Sequence, residues 1–118
     1  MTETKTWKGS CHCGRIAFEV EGALEQVTEC NCSICRRKGA KMWFVPRTQL
    51  HLHTPEADMA TYTFNKHRIK HRFCPTCGIH VFGESSKDGV AMAAINVRCL
   101  DKADLDALPV HHFDGKSL

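Results

Sequence analysis

The chain has 118 residues, 42% of them hydrophobic and 25% charged, with a formal net charge of +3 at neutral pH. This length predicts one domain, spanning residues 1–118, with a core that is adequate but not generous. The mild charge argues against nucleic acid as a partner and suits a small anionic ligand, and the longest apolar run, residues 90–95, is far too short to cross a membrane.

The first seven residues are polar and carry no apolar segment of the kind a secretory signal needs, so a cytoplasmic location is expected. From residue 15 the pattern has period two. Residues 15–21 place Ile16, Phe18 and Val20 on one face and predict a half-buried strand. Residues 33–38 predict a short helix, and residues 41–45 a short apolar strand that stops at Pro46. Residues 50–53, 61–64 and 69–73 alternate again, and residues 80–82 and 90–97 predict further strands. A second helix is expected over residues 101–108, with Asp101 as its cap and Pro109 marking its end. Gly22, Gly39, Gly78, Gly83 and Gly89 punctuate these segments. Many short strands with turn signals predict a mainly β fold (a sandwich, barrel or folded sheet) with one or two short helices.

Seven of the eight cysteines fall into three clusters: Cys11 with Cys13, Cys30 with Cys32 and Cys35, and Cys74 with Cys77. In a reducing compartment such clusters point to metal binding or redox chemistry rather than to disulfides. The turn Cys74-Pro-Thr-Cys77-Gly78 directs backbone N–H groups at its first sulfur. Cys11 and Cys13 lie on one side of an extended segment. Together they offer four thiolates to one tetrahedral zinc, against the competing reading of buried or redox-active cysteines.

Cys30, Cys32 and Cys35 can hold one face of a second metal, leaving a fourth position for water, substrate or a histidine. Cys99 is the one spare cysteine and reads as core. Zinc on three thiolates carries a net charge of about −1, which suits it to an incoming thiol better than to activating water. Arg36, Arg37 and Lys38 follow at once. They either offset that charge and hold an anionic ligand, or form a solvated basic turn. Lys41 is a further anion candidate, and His71 and Arg72 precede the 74–77 turn, close to a metal in sequence; each reads equally as an exposed strand residue. His111 and His112 either cover a site or belong to a solvated tail. Cys32-Ser-Ile-Cys35 also has the form of a thiol–disulfide motif. Such motifs open a helix in a βαβ pattern, which is not evident here, and Cys30 fits metal better than exchange.

The runs Gly9-Ser-Cys-His-Cys-Gly14, Cys30-Asn-Cys-Ser-Ile-Cys-Arg-Arg37 with Gly39, and Arg72-Phe-Cys-Pro-Thr-Cys-Gly78 resemble the glutathione-dependent formaldehyde-activating enzyme family. That family also contains centromere protein V. The resemblance runs from about residue 7 to residue 113, and the chain is shorter than the members that gave the family its name. It implies folded antiparallel sheets of the β-tent type, stapled by zinc. It implies a structural zinc on Cys11, Cys13, Cys74 and Cys77, and a second zinc at the active site on Cys30, Cys32 and Cys35. The activity it implies is that of a carbon–sulfur lyase or synthase, joining glutathione to formaldehyde as S-hydroxymethylglutathione. The partners would then be a small thiol and a small aldehyde, with Arg36, Arg37 and Lys38 as candidate contacts for glutathione. The other readings are a non-catalytic zinc interaction module and a thiol redox enzyme.

Overall fold

The structure is a computed structural model, and it describes residues 5–64 and 68–117. The period-two segment of the sequence forms β2 (Ala17–Gly22), paired antiparallel on one side with β1 (Lys5–Ser10) and on the other with β5 (Leu50–Leu52). Phe18 and Val20 point inward from β2, with Ile16 just ahead of it, and all three are buried. Phe18 lies across from Gly9, where a methyl group would stand 2.6 Å from the Phe18 ring and 2.8 Å from the Cys99 carbonyl oxygen. Only a residue without Cβ allows β1 this close to the ring.

The second sheet has seven strands in the order β10-β3-β4-β9-β8-β7-β6. These are β3 (Val27–Cys30), β4 (Met42–Pro46), β6 (Ala60–Tyr62), β7 (Lys70–Phe73), β8 (His80–Lys87), β9 (Val90–Asn96) and β10 (Val110–Phe113). Phe82 and Val81 of β8, Ile95 of β9, Val27 of β3 and Val45 of β4 join Phe18, Val20 and Leu50 of the first sheet in one buried cluster. The mainly β class is therefore as expected, but the larger sheet is mixed, because β10 runs parallel to β3. These two strands are far apart in sequence, so no tight turn constrains them to pair antiparallel.

Three strands, β1, β3 and β10, carry no clear alternation and were not marked by the pattern. β8 runs five residues beyond the expected 80–82. Its extension, Gly-Glu-Ser-Ser-Lys, is polar and pairs with β9 through the main chain, in the register Ser85↔Met92 and Ser86↔Ala91. Asp88 (φ 53°) and Gly89 (φ 81°) close this hairpin with the two positive angles that a twist-matched two-residue turn requires.

Among the described residues there is one α-helix, α1 (Cys35–Lys38), a single turn at the end of the expected 33–38 segment. It stops at Gly39, which takes the left-handed conformation (φ 65°) and donates to the Cys35 carbonyl at 2.9 Å. The helix expected over 101–108 does not form. The Asp101 amide instead donates to the Lys8 carbonyl (2.9 Å), tying the segment to β1, and the Pro109 carbonyl accepts from Val27 (3.0 Å). Eight residues are too few to hold a helix by propensity alone. Tertiary anchoring therefore wins, and Ala103, Leu105 and Leu108 pack on the core from turns. No described helix is long and apolar enough to cross a membrane.

Candidate functional site

Two loops of the same construction build the first cysteine cluster. The Cys11 amide donates to the Ile16 carbonyl (3.0 Å), and the Cys74 amide donates to the Ile79 carbonyl (3.0 Å). Each loop turns on a glycine at positive φ, Gly14 (84°) and Gly78 (79°). The result brings four sulfurs, from Cys11, Cys13, Cys74 and Cys77, within 4.8 Å of one another. The Cys11–Cys13 and Cys13–Cys74 sulfur separations are 3.7 and 3.6 Å. Thiolates about 2.3 Å from a tetrahedral zinc stand about 3.8 Å apart, so the quartet fits such a metal.

The surroundings favour thiolates at Cys74 and Cys77, whereas at Cys13 the Arg15 backbone acts downward but burial and the Cys74, Cys11 and Cys77 sulfurs push the thiol up to about 11. Ile16 N–H donates to Cys11 Sγ (3.3 Å), and Thr76 and Cys77 N–H donate to Cys74 Sγ (3.4 Å each). Burial pushes the Cys74 thiol up, but the amides of Cys77 and Thr76 outweigh it and the net shift is downward. Cys77 is lowered to about 6, its sulfur receiving the amides of Cys13 and Ile79. Cys11 and Cys74 are almost fully buried. Thiolates there need a compensating positive charge, which a bound cation would supply.

The second cluster begins where β3 ends. Cys30, Cys32 and Cys35 bring their sulfurs within 4.8 Å of one another and could hold a second metal ion from three corners. Cys32 N–H lies 3.5 Å from Cys30 Sγ, and the Cys32 carbonyl accepts from the Arg36 amide (3.0 Å) as the chain enters α1. Burial pushes the Cys35 thiol up to about 12, with Cys32 adding to the shift. Cys32 moves down, because the Cys35 amide and neighbouring thiols outweigh its own burial.

The C-terminal segment lies directly against this triplet. A Cβ at Gly115 would be 2.5 Å from Cys30 Sγ and 3.3 Å from Cys32 Cβ. Asn31, between two of the cysteines, clasps the segment. Its amide donates to the Phe113 carbonyl (3.2 Å), its Nδ2 to Asp114 Oδ1 (2.9 Å), and its Oδ1 accepts from the Lys116 amide (2.8 Å). The segment is thus held in place at Asn31. His111 and His112 sit exposed on β10, while Gly115 reaches the cluster.

Arg36, Arg37 and Lys38 do not form one basic edge, since successive residues of a helix diverge by about 100°. Arg36 is exposed. Arg37 Nη1 donates to the Ser33 carbonyl (2.7 Å). It lines a cavity of about 340 Å³ with Ser33, Ile34, Tyr62 and Phe64. Lys38 turns inward, its Nζ 3.4 Å from His71 Nδ1 and 3.2 Å from His80 Nε2. Phe64 stacks on the His71 ring, with centroids 5.6 Å apart.

His71, a candidate for an exposed strand position, is 6% exposed. Burial first and the Lys38 charge second lower it to about 4. The same two causes, with His71, lower His80 to about 3, so both rings are neutral at pH 7. Burial also lowers Lys38, while the thiolates of Cys35, Cys32 and Cys30 act in the opposite sense.

Arg72 is committed elsewhere, to Glu84 (3.1 Å), Glu56 (3.2 Å) and Thr61 (2.8 Å). Lys41 is half-buried, and its carbonyl accepts from Val97 (2.9 Å). Cys99 packs on the core and donates to the His80 carbonyl (3.7 Å). A cavity of about 580 Å³ is lined by Ala23, Glu25, Gln26, Thr28, Met42, Trp43 and Phe44, with no cysteine of either cluster. Sequence reasoning missed His80, Asn31 and Gly115. The one available signal was the adjacency of His80 to the 74–77 turn.

Residues 6–114 match the family model for the glutathione-dependent formaldehyde-activating enzyme. The fold is similar to the crystal structure of a Rhodobacter sphaeroides protein, with a TM-score of 0.76 and 31% sequence identity, covering 88% of this chain and 99% of that one. With the match extending over nearly the whole chain and through both cysteine clusters, the protein belongs to the glutathione-dependent formaldehyde-activating enzyme family.

Proposed function

We propose that this protein is a single-domain, cytoplasmic, zinc-dependent carbon–sulfur lyase or synthase that joins glutathione to formaldehyde or a closely related small aldehyde. Its product would be S-hydroxymethylglutathione. The observation that carries the reading is the convergence of the Cys30, Cys32 and Cys35 sulfurs within 4.8 Å, in a chain whose family model spans residues 6–114. In this reading Cys11, Cys13, Cys74 and Cys77 hold a structural zinc, and Cys30, Cys32 and Cys35 a second one.

The reaction is an addition. The glutathione sulfur forms a bond to the aldehyde carbon, the carbonyl π pair passes to oxygen, and the thiol proton ends on that oxygen by way of water. A zinc on three thiolates, when bound, favours an incoming thiol in its deprotonated form. The chain's own residues then supply position and effective concentration, because thiols add to formaldehyde readily without help. In this reading Arg37, which lines the cavity, holds a glutathione carboxylate, with Arg36 on the same turn. Such pairing weakens as salt rises.

Metal content per chain in reducing buffer, with formation of the S-hydroxymethyl adduct followed by NMR in ¹³C-formaldehyde, tests the reading. Two zinc ions and adduct formation faster than in buffer, slowed by salt and by Arg37→Ala, are expected. One zinc with no acceleration would overturn the proposal.

A further inference from the structure

Lys38 follows Cys35 by three residues on one helical turn, so the two share a face. Its ammonium is within hydrogen-bond distance of His71 Nδ1 and His80 Nε2. An ammonium only donates, so each of these ring nitrogens presents a lone pair. In a neutral imidazole the single proton then sits on the other nitrogen. Those other nitrogens, His71 Nε2 and His80 Nδ1, are buried and make no hydrogen bond of ordinary geometry, although the Phe82 backbone is close enough to act on the His80 ring.

Two of the three Lys38 N–H groups go to the histidines, leaving one. Among the described residues no carboxylate pairs with Lys38; the triplet sulfurs, when ionised, are the negative charges that act on it. The cluster therefore holds one remaining ammonium N–H facing away from the rings and one N–H on the far side of each ring, with no carboxylate to answer the charge. A buried donor without an acceptor costs free energy, and a buried cation costs more. A donor-only cluster is completed by an acceptor-only group, and the acceptor that also answers the positive charge is an anionic oxygen.

We propose that Lys38, positioned by His71 and His80, receives one anionic oxygen beside the Cys30–Cys32–Cys35 triplet. Two sources share that chemistry: a carboxylate of the thiol substrate, or the aldehyde oxygen as sulfur adds to its carbon. In the second case the S–C bond forms, the π pair collects on oxygen, and the Lys38 N–H holds that oxygen until it takes the thiol's proton through water. Naming the source rests on the reaction proposed above; the anion site itself does not.

The test has an arm free of turnover. The ring signals of His71 and His80 are followed by NMR while formate is added to the metal-loaded protein. A saturable shift is expected, weakened by about 10- to 100-fold in Lys38→Met, the usual worth of a hydrogen bond to a charged group. Unchanged metal content and melting temperature check that the variant folds. If Lys38→Met does not fold, His80→Asn, which removes one of the groups holding the ammonium, should weaken the formate response in the same sense.

The second arm measures adduct formation with glutathione and with neutral 2-mercaptoethanol. A fall in kcat for both thiols assigns the oxygen to the aldehyde. A rise in KM for glutathione alone assigns it to a carboxylate. A formate response with no turnover in the wild type would keep the anion site and reject the reaction. No formate response in the wild type, or one that Lys38→Met leaves unchanged, would overturn the inference whatever the turnover.

Discussion

Gly115→Ala is a local perturbation whose size follows from the structure. The new methyl carbon would start 2.5 Å from Cys30 Sγ. Non-bonded heavy atoms settle at about 3.5–4.0 Å, so the segment must retreat by about 1 Å or more. That retreat works against the three hydrogen bonds made through Asn31, to Phe113, Asp114 and Lys116. At the lower end of about 0.5–1.5 kcal/mol each, suited to exposed groups, their loss comes to about 1.5 kcal/mol. This corresponds to an open segment populated about tenfold more often. Amide hydrogen exchange of residues 110–117, read by mass spectrometry, measures that population directly. Exchange should quicken by about tenfold over this segment and stay unchanged in β8 and β9. Asn31→Ala removes two of the bonds without the steric clash and should act in the same direction. If both variants exchange like the wild type, the C-terminal segment is not held by this clasp.

Cys74→Ser removes a buried sulfur from the quartet, where metal binding energy is folding energy. The variant should lose cooperative melting, and a soluble, cooperative form that retains the metal would refute the structural role. Cys32→Ser, at a half-buried position in the triplet, should leave the melting transition in place and abolish adduct formation; loss of all metal would show the two roles to be exchanged. Acid should destabilise the fold through His71, whose pKa falls from 6.5 in the unfolded chain to about 4 in the native state. The unfolded chain then binds the proton first, so stability is complete above pH 6.5 and falls between pH 6.5 and about 4. The slope approaches about 1.4 kcal/mol per pH unit. Chemical denaturation of zinc-saturated protein at pH 6.5 and 5 should show a smaller loss in His71→Gln than in the wild type. Equal losses would mean that His71 is protonated in the folded state.

The mainly β class, the two cysteine pairs and the cysteine triplet were legible in the sequence because each is written locally, whereas the meeting of Cys11 and Cys13 with Cys74 and Cys77 is a long-range contact. Alternation at Ile16, Phe18 and Val20 can satisfy only an extended segment with one buried face. Cysteines two or three residues apart already bring their sulfurs close, whatever the rest of the chain does. The polar end of β8 had no such mark, because its pairing with β9 uses backbone groups that every residue possesses. The segment 101–108 carried helix signals that eight residues could not enforce against anchoring by Lys8 and the core.

Other features are products of the tertiary structure alone. Lys38 comes from α1, His71 from β7 and His80 from β8, and nothing in their spacing foretells that they meet. Arg36, Arg37 and Lys38 look alike as a run of letters, yet rotation about one helical turn sends Lys38 inward and leaves the two arginines outside. Gly115 is an ordinary glycine near the end of the chain until the parallel pairing of β10 with β3 carries its backbone against Cys30. The sequence by itself determined what each short stretch could bind, since ligand spacing and face alternation depend only on neighbouring residues. Which distant groups share a site, and which of them lose water and shift their charge, was decided by packing, because burial and contact exist only once the sheets have closed.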